Sequence, residues 1–104
     1  MSTAEAKDIV SHYAEQLRKE GYPITALYLF GSAVKGTFNP MSDIDVAVIS
    51  EKLKYADDAS LLKLWKTRRS VDNRIEPHGF TPEEFGDDNN PLVYEIKKTG
   101  ILVI

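Results

Sequence analysis

The sequence predicts an α/β (α+β) fold formed as one domain over residues 1–104, with elements in the order α-β-α-β-α-β and a terminal strand. Three observations lead there. Short runs rich in β-branched and aromatic residues, each bounded by turn residues, occur at Ile24–Phe30, Asp43–Ser50 and Arg74–Phe80. Segments with apolar residues at helical spacing alternate with them, which implies one layered α/β structure. A chain of 104 residues also suits one core, burying roughly two-thirds of the unfolded surface, and leaves no room for a second substrate-binding domain.

The elements follow in order. Ser2–Glu20 reads as a helix: Ser2 and Glu5 form a capping-box pattern, Ile9, Val10, Tyr13 and Leu17 make the apolar stripe, and Gly21 stops it. Ile24–Phe30 is short and apolar enough for a buried strand. Gly31-Ser32 is a tight turn into a brief helix, and Thr37–Ser42 is a loop by its turn residues. Asp43–Ser50 is a strand with carboxylates leading and aliphatics behind. Asp57–Asn73 is a second long helix, acidic at its start and basic at its end, in keeping with the helix dipole. Its expected apolar stripe is Leu61, Leu62, Leu64 and Trp65, with Val71 beyond. In Arg74–Phe80, Pro77 confines the strand to a sheet edge. Thr81 caps a short helix with Pro82 in its first turn, Asp87–Pro91 is a loop, Leu92–Thr99 is a helix closed by Gly100, and Ile101–Ile104 is the last strand.

Composition removes several function classes. Without cysteine there is no disulfide framework, thiolate metal site or thiol nucleophile. Thirteen Lys+Arg against 16 Asp+Glu, a net charge of −3, argues against a general nucleic-acid coat, which needs surplus cations. The longest apolar runs are far shorter than a membrane span, and the polar, acidic N-terminus is unlike a signal peptide. The expectation is a cytoplasmic protein.

The chemistry concentrates in Gly31–Val48. Side chains two apart on a strand share a face, so Asp43 and Asp45 project together while Ile44, Val46 and Val48 face away. Two carboxylates about 5 Å apart repel by roughly 3 kcal/mol at an effective dielectric near 20. A cation between them relieves that cost, and oxygen donors favour Mg²⁺ or Mn²⁺. Alone, such a pair is more often two hydrated aspartates at a strand end. Here it follows a second feature: Gly31 lets backbone approach a ligand, exposed amides at a helix start attract phosphate, Ser32 adds a hydroxyl, and Lys35 lies one turn on. A phosphate-binding turn and a carboxylate pair joined by a short loop make a two-part nucleotide site.

Gly31-Ser32, ten residues, then Asp43-Ile44-Asp45 resembles the Gly-Ser-x10-Asp-x-Asp signature of the DNA polymerase β-like nucleotidyltransferase superfamily. The length is similar to that of its minimal members. The resemblance implies a small mixed sheet flanked by helices, and it implies a two-metal site of Mg²⁺, with Mn²⁺ as the alternative, holding ATP as nucleotide substrate. Asp43, Asp45 and a third carboxylate would ligate the metals. Glu76 is the position that fits, although aspartate is commoner there, and Asp72 is the weaker candidate. Gly31, Ser32, Lys35 and Ser42 would hold the phosphates. Glu76 could also act as base toward the attacking hydroxyl, with pyrophosphate leaving from the α-phosphate.

Partners are implied in the same way. Minimal nucleotidyltransferases resembling this chain pair with a helical HEPN-type protein, serving as the antitoxin that adenylylates the toxin. With no recognisable acceptor half of the cleft, the chain is expected to need such a partner and to assemble as a homo- or hetero-oligomer. The rival reading is a fold retained for neutralisation by binding alone. Aminoglycoside modification and templated polymerisation fit less well, for want of further domains and positive charge. Among other residues, His78 is a secondary site candidate, His12 reads as surface, and Trp65 reads as core. The cluster Lys63, Lys66, Arg68, Arg69 and Arg74 reads as a solvated helix end before it reads as a docking patch.

Overall fold

Local signals set the first helix. In the computed structural model, which describes residues 2–35, 43–55 and 57–104, α1 spans Thr3–Lys19. Its N-terminus is closed by the expected capping box: the Glu5 amide donates to Ser2 Oγ at 3.1 Å and the Ser2 amide donates to Glu5 Oε1 at 3.3 Å. Its C-terminus is a Schellman turn, with Gly21 at φ +94°, its amide on Arg18 O and the Tyr22 amide on Leu17 O. The buried stripe is Ala6, Val10, Tyr13, Ala14 and Leu17.

The remaining elements are β1 (Ala26–Phe30), α2 (Ser32–Lys35), β2 (Ile44–Ile49), α3 (Asp58–Arg68), β3 (Ile75–Phe80), α4 (Pro82–Phe85), α5 (Pro91–Thr99) and β4 (Ile101–Leu102). The strands form one mixed sheet in the order β3-β2-β1-β4. Neighbours of β1 run antiparallel to it, and β2 and β3 run parallel. A parallel pair needs a crossover, and α3 supplies it. The Ile44 amide bonds Arg74 O and the Ser50 amide bonds Phe80 O. These contacts turn the even-numbered backbone groups of β3 toward β2. Pro77 therefore faces its missing N–H away from the sheet, which is why an edge strand tolerates it.

Alternation along the strands divides the core in two. On one face Leu27, Leu29, Ile44, Val46, Val48 and Ile75 pack with the stripe of α1 and with Leu64 of α3. On the other, Phe30, Ala47, Ile49 and Phe80 pack with Phe85 of α4 and with Val93 and Ile96 of α5. Gly79 permits the close approach of α3, since a Cβ there would stand 2.9 Å from Leu64 Cδ1 and 3.3 Å from Leu53 Cβ. A buried hydrogen bond of 2.7 Å from Tyr13 Oη to Leu64 O ties α1 to α3. Among the described residues no helix is long and apolar enough to cross a membrane.

Several expected boundaries and burials are corrected. The long helix ends at Arg68, not Asn73. There the Arg68 guanidinium turns back to donate to the carbonyls of Asn73 and Ile75, and Ser70 Oγ caps Thr67 O at 3.0 Å, so the chain can reverse into β3. The face of α3 that packs inward is Ser60, Leu64 and Thr67, leaving Leu61 43% and Leu62 57% exposed. Trp65 is only half-buried, and the Arg68 guanidinium lies over its ring at 4.3 Å. The first strand begins at Ala26, the second at Ile44, and the last is Ile101–Leu102. Pro91 opens α5 instead of belonging to the loop, and Asn90 caps it, because proline suits the first turn of a helix.

Removing the Tyr13 hydroxyl isolates one inter-helix contact, because Leu64 O also lies within the helical ladder of α3. Tyr13→Phe is expected to lower unfolding free energy by about 1 kcal/mol, read as a midpoint shift without a change of slope in urea titration.

Candidate active site

The site begins where β1 stops. Gly31 follows Phe30 with φ +73°, a conformation that side chains disfavour, and the chain turns directly into α2. Space imposes the same choice, because a Cβ at Gly31 would lie 2.2 Å from Asp45 Oδ2. The turn is held by the Val34 amide on Gly31 O at 3.2 Å and by Thr3 Oγ1 donating to Ala33 O at 2.9 Å. Ser32, half-buried, opens the short helix beside this turn.

The carboxylates come from adjacent strands. Register places Phe30 opposite Asp45 on one side and Glu76 opposite Asp45 on the other; one step further, Ala47 pairs with His78. Asp45, Glu76 and His78 thus share the sheet face that α4 and α5 cover in part, and all three are half-buried. One donor atom from each lies within 4.8 Å of the others. Burial pushes the Asp45 carboxyl up to about 7; the hydrogen bond and charge of Glu76 act the same way, followed by the charges of Asp43 and Glu95. Burial holds the His78 imidazole below its ordinary value against the opposing charge of Glu76, so the ring is neutral at pH 7. Its ring packs against Phe30 with centroids 5.5 Å apart.

The expected residues sort clearly. Asp45 meets Gly31 on one side and Glu76 on the other. Asp43 stands exposed one residue before β2, outside the tight cluster but near enough for its charge to act on Asp45. Asp72 is engaged elsewhere, bound by Arg74 through Nη2 at 2.7 Å and Nε at 3.0 Å, which holds its carboxyl below the usual range. Lys35 lies 3.9 Å from Glu95 of α5, an exposed pair of little energetic weight. Ser42 lies outside the described residues. Of the basic cluster, Lys63 pairs with Glu20 and Arg74 with Asp72.

Two features are not prominent in the sequence. Glu95 acts on Asp45 across the fold, although nothing distinguishes it locally from any other exposed helical glutamate. A cavity of about 200 Å³ lies at the open edge of β3, lined by Tyr55, Ser60, Leu61, Leu64, His78 and Gly79. Through His78 it adjoins the carboxylate cluster.

Adjacent carboxylates within 4.8 Å repel by roughly 3 kcal/mol at an effective dielectric near 20. A proton on Asp45 relieves this at acidic pH, and a divalent cation would do so at neutral pH. The donor set therefore fits a metal ion.

The residue pattern of the nucleotidyltransferase domain family runs through residues 10–102. Among solved structures, a provisionally assigned nucleotidyltransferase from Sulfolobus solfataricus is similar with a TM-score of 0.63 at 15% identity, over 98% of this chain and 86% of that one. A toxin–antitoxin structure with AMP-PNP is similar with a TM-score of 0.66 at 21% identity, over 94% of this chain and 72% of that one. At these identities the likeness is one of fold. Among curated proteins no sequence matches this chain.

Two outcomes test the site without any substrate. Folding raises the Asp45 pKa from an ordinary 3.8 to about 7, so the folded chain holds this proton more tightly than the unfolded one. The resulting stabilisation is complete below the unfolded value and is lost as pH rises to about 7. In EDTA, Asp45→Asn is expected to flatten the fall in Tm between pH 4 and 7 and to melt higher than wild type at pH 7.5. Gly31→Ala adds both a clash and an unfavourable φ; it is expected to cost more than about 1 kcal/mol in urea titration.

Proposed function

The chain belongs to the nucleotidyltransferase domain family, and on that premise we propose that it transfers AMP from ATP to an acceptor hydroxyl on a partner protein, as the antitoxin of a toxin–antitoxin pair. One observation carries the reading. Asp45 and Glu76 stand side by side on parallel strands, against a glycine turn that leaves no room for a side chain beside Asp45. A scaffold that only binds gains nothing from holding like charges together. A site for a triphosphate and its cations does.

Asp43, Asp45 and Glu76 would hold Mg²⁺, which when bound supplies charge neutralisation of the triphosphate and Lewis acidity at its phosphorus. The turn at Gly31-Ser32 lies at the edge of the same cluster and would receive the phosphates. Glu76 would accept the proton of the acceptor hydroxyl. The acceptor oxygen bonds to the α-phosphorus, the bond to the bridging oxygen breaks, and pyrophosphate departs. Lys35 would exchange its weak contact with Glu95 for a phosphate oxygen.

The choice of AMP and of a protein acceptor is supported by the similarly folded toxin–antitoxin structure with AMP-PNP. A helical HEPN-type protein is the partner that the family resemblance favours.

Incubation with α-³²P-ATP, Mg²⁺ and the candidate partner is expected to label the partner. Asp43→Asn/Asp45→Asn should reduce labelling at least about a hundredfold, the scale lost with one transition-state-stabilising group. A partner that binds tightly to wild type yet acquires no label would show neutralisation by contact alone.

A further inference from the structure

The carboxylate cluster contains a donor of a different kind. On β3 the residue two beyond Glu76 is His78, so strand geometry turns both toward the face that carries Asp45. Opposite His78 stands Ala47, whose small side chain leaves the imidazole room beside the carboxylates. The Phe30 ring backs it at 5.5 Å. One imidazole nitrogen, one Asp45 oxygen and one Glu76 oxygen lie within 4.8 Å of one another. Around one ion at about 2.1 Å, neighbouring ligands stand about 3 Å apart and opposite ones about 4.2 Å, so the three donors, already within 4.8 Å, close onto it by side-chain rotation.

Donor chemistry then discriminates among ions. Mg²⁺ takes oxygen, keeps its waters and gains little from imidazole. First-row transition ions accept imidazole and carboxylate together. Mn²⁺ is the member of that series that also suits the carboxylate, water and phosphate oxygens expected at a triphosphate site.

We propose that His78 is a protein ligand of the metal held by Asp45 and Glu76, and that it makes this site prefer Mn²⁺ to Mg²⁺. The inference rests on the reading of those two carboxylates as metal ligands, and it adds a nitrogen donor to what is otherwise an oxygen site. A histidine that merely filled space against Phe30 would leave no nitrogen signature on a bound ion.

The test uses Mn²⁺ itself. Titration of the full chain, followed by loss of the free-ion EPR signal, gives the affinity for Mn²⁺, and competition gives that for Mg²⁺. Wild type is expected to bind Mn²⁺ at least about tenfold more tightly, and electron spin-echo modulation of the bound ion should show nitrogen coupling. His78→Gln should lose that coupling, weaken Mn²⁺ about 10- to 100-fold, on the scale by which altering a metal ligand's surroundings changes affinity, and leave Mg²⁺ binding unchanged. The chain has two histidines, so His12→Gln, on the exposed side of α1, serves as the control that keeps the coupling. The wild-type spectrum decides even if His78→Gln is poorly folded. Bound Mn²⁺ without nitrogen coupling, or an unchanged Mn²⁺ to Mg²⁺ ratio in His78→Gln, overturns the proposal. A nitrogen-free complex that still transfers nucleotide counts against this inference alone. Intact coupling with no transfer counts against the transferase reading alone.

Discussion

Repulsion between Asp45 and Glu76 is the constraint around which the rest of the molecule is arranged. Parallel pairing of β2 and β3 sets these carboxylates directly abreast, partly shielded from water, where burial and mutual charge push the Asp45 carboxyl up to about 7. Left to itself, a chain would relax such a pair apart. It cannot here, because moving either strand by one residue would turn its apolar side chains out of the core. Both faces of β2 are covered, Ile44, Val46 and Val48 beneath α1 and α3, Ala47 and Ile49 beneath α4 and α5. The hydrophobic burial of the whole sheet therefore holds the carboxylates in place.

Each supporting element contributes to that restraint. The crossover α3 makes the parallel pair possible, and its approach depends on Gly79 having no side chain. Tyr13 anchors α3 to α1 through a buried hydrogen bond, and Thr3 of α1 in turn holds α2 through Ala33 O. Gly31, at a positive φ that side chains disfavour, then brings the turn against Asp45. The second face of the sheet is left partly open at Asp45, Glu76 and His78, whereas Ala47, Ile49 and Phe80 on the same face are buried. The open end is where a ligand can enter.

Much of this is legible in the order and spacing of residues alone. The capping box of Ser2 and Glu5 is local, and it forms as expected. So does the edge position of the strand carrying Pro77. The inward face of α3 departs from its hydrophobic pattern for a physical reason. Leu61, Leu62 and Trp65 outnumber the apolar residues on its other side, yet Ser60, Leu64 and Thr67 are the ones that pack. Ser60 and Thr67 can do so because Asp57 and Lys52 O satisfy one hydroxyl and Glu20 the other. A hydrophobicity pattern cannot register partners supplied by distant segments. The end of α3 escapes local spacing in the same way, since Arg68 finds its acceptors at Asn73 and Ile75 only after the chain has turned.

By itself the sequence determined the order of elements, the glycine turn, and the aspartate at the head of a buried strand, because each depends on residues close together in the chain. Only the tertiary structure explains why Glu76, already favoured over Asp72, is the acidic residue that joins Asp45. Asp72 and Glu76 were both available, and the first is consumed by Arg74 while strand register delivers the second. It also set Lys35 beside Glu95 and brought His78 into the carboxylate cluster. Those outcomes depend on which strands pair, in which direction and with what offset. That is a property of the packed sheet as a whole, which no local spacing encodes.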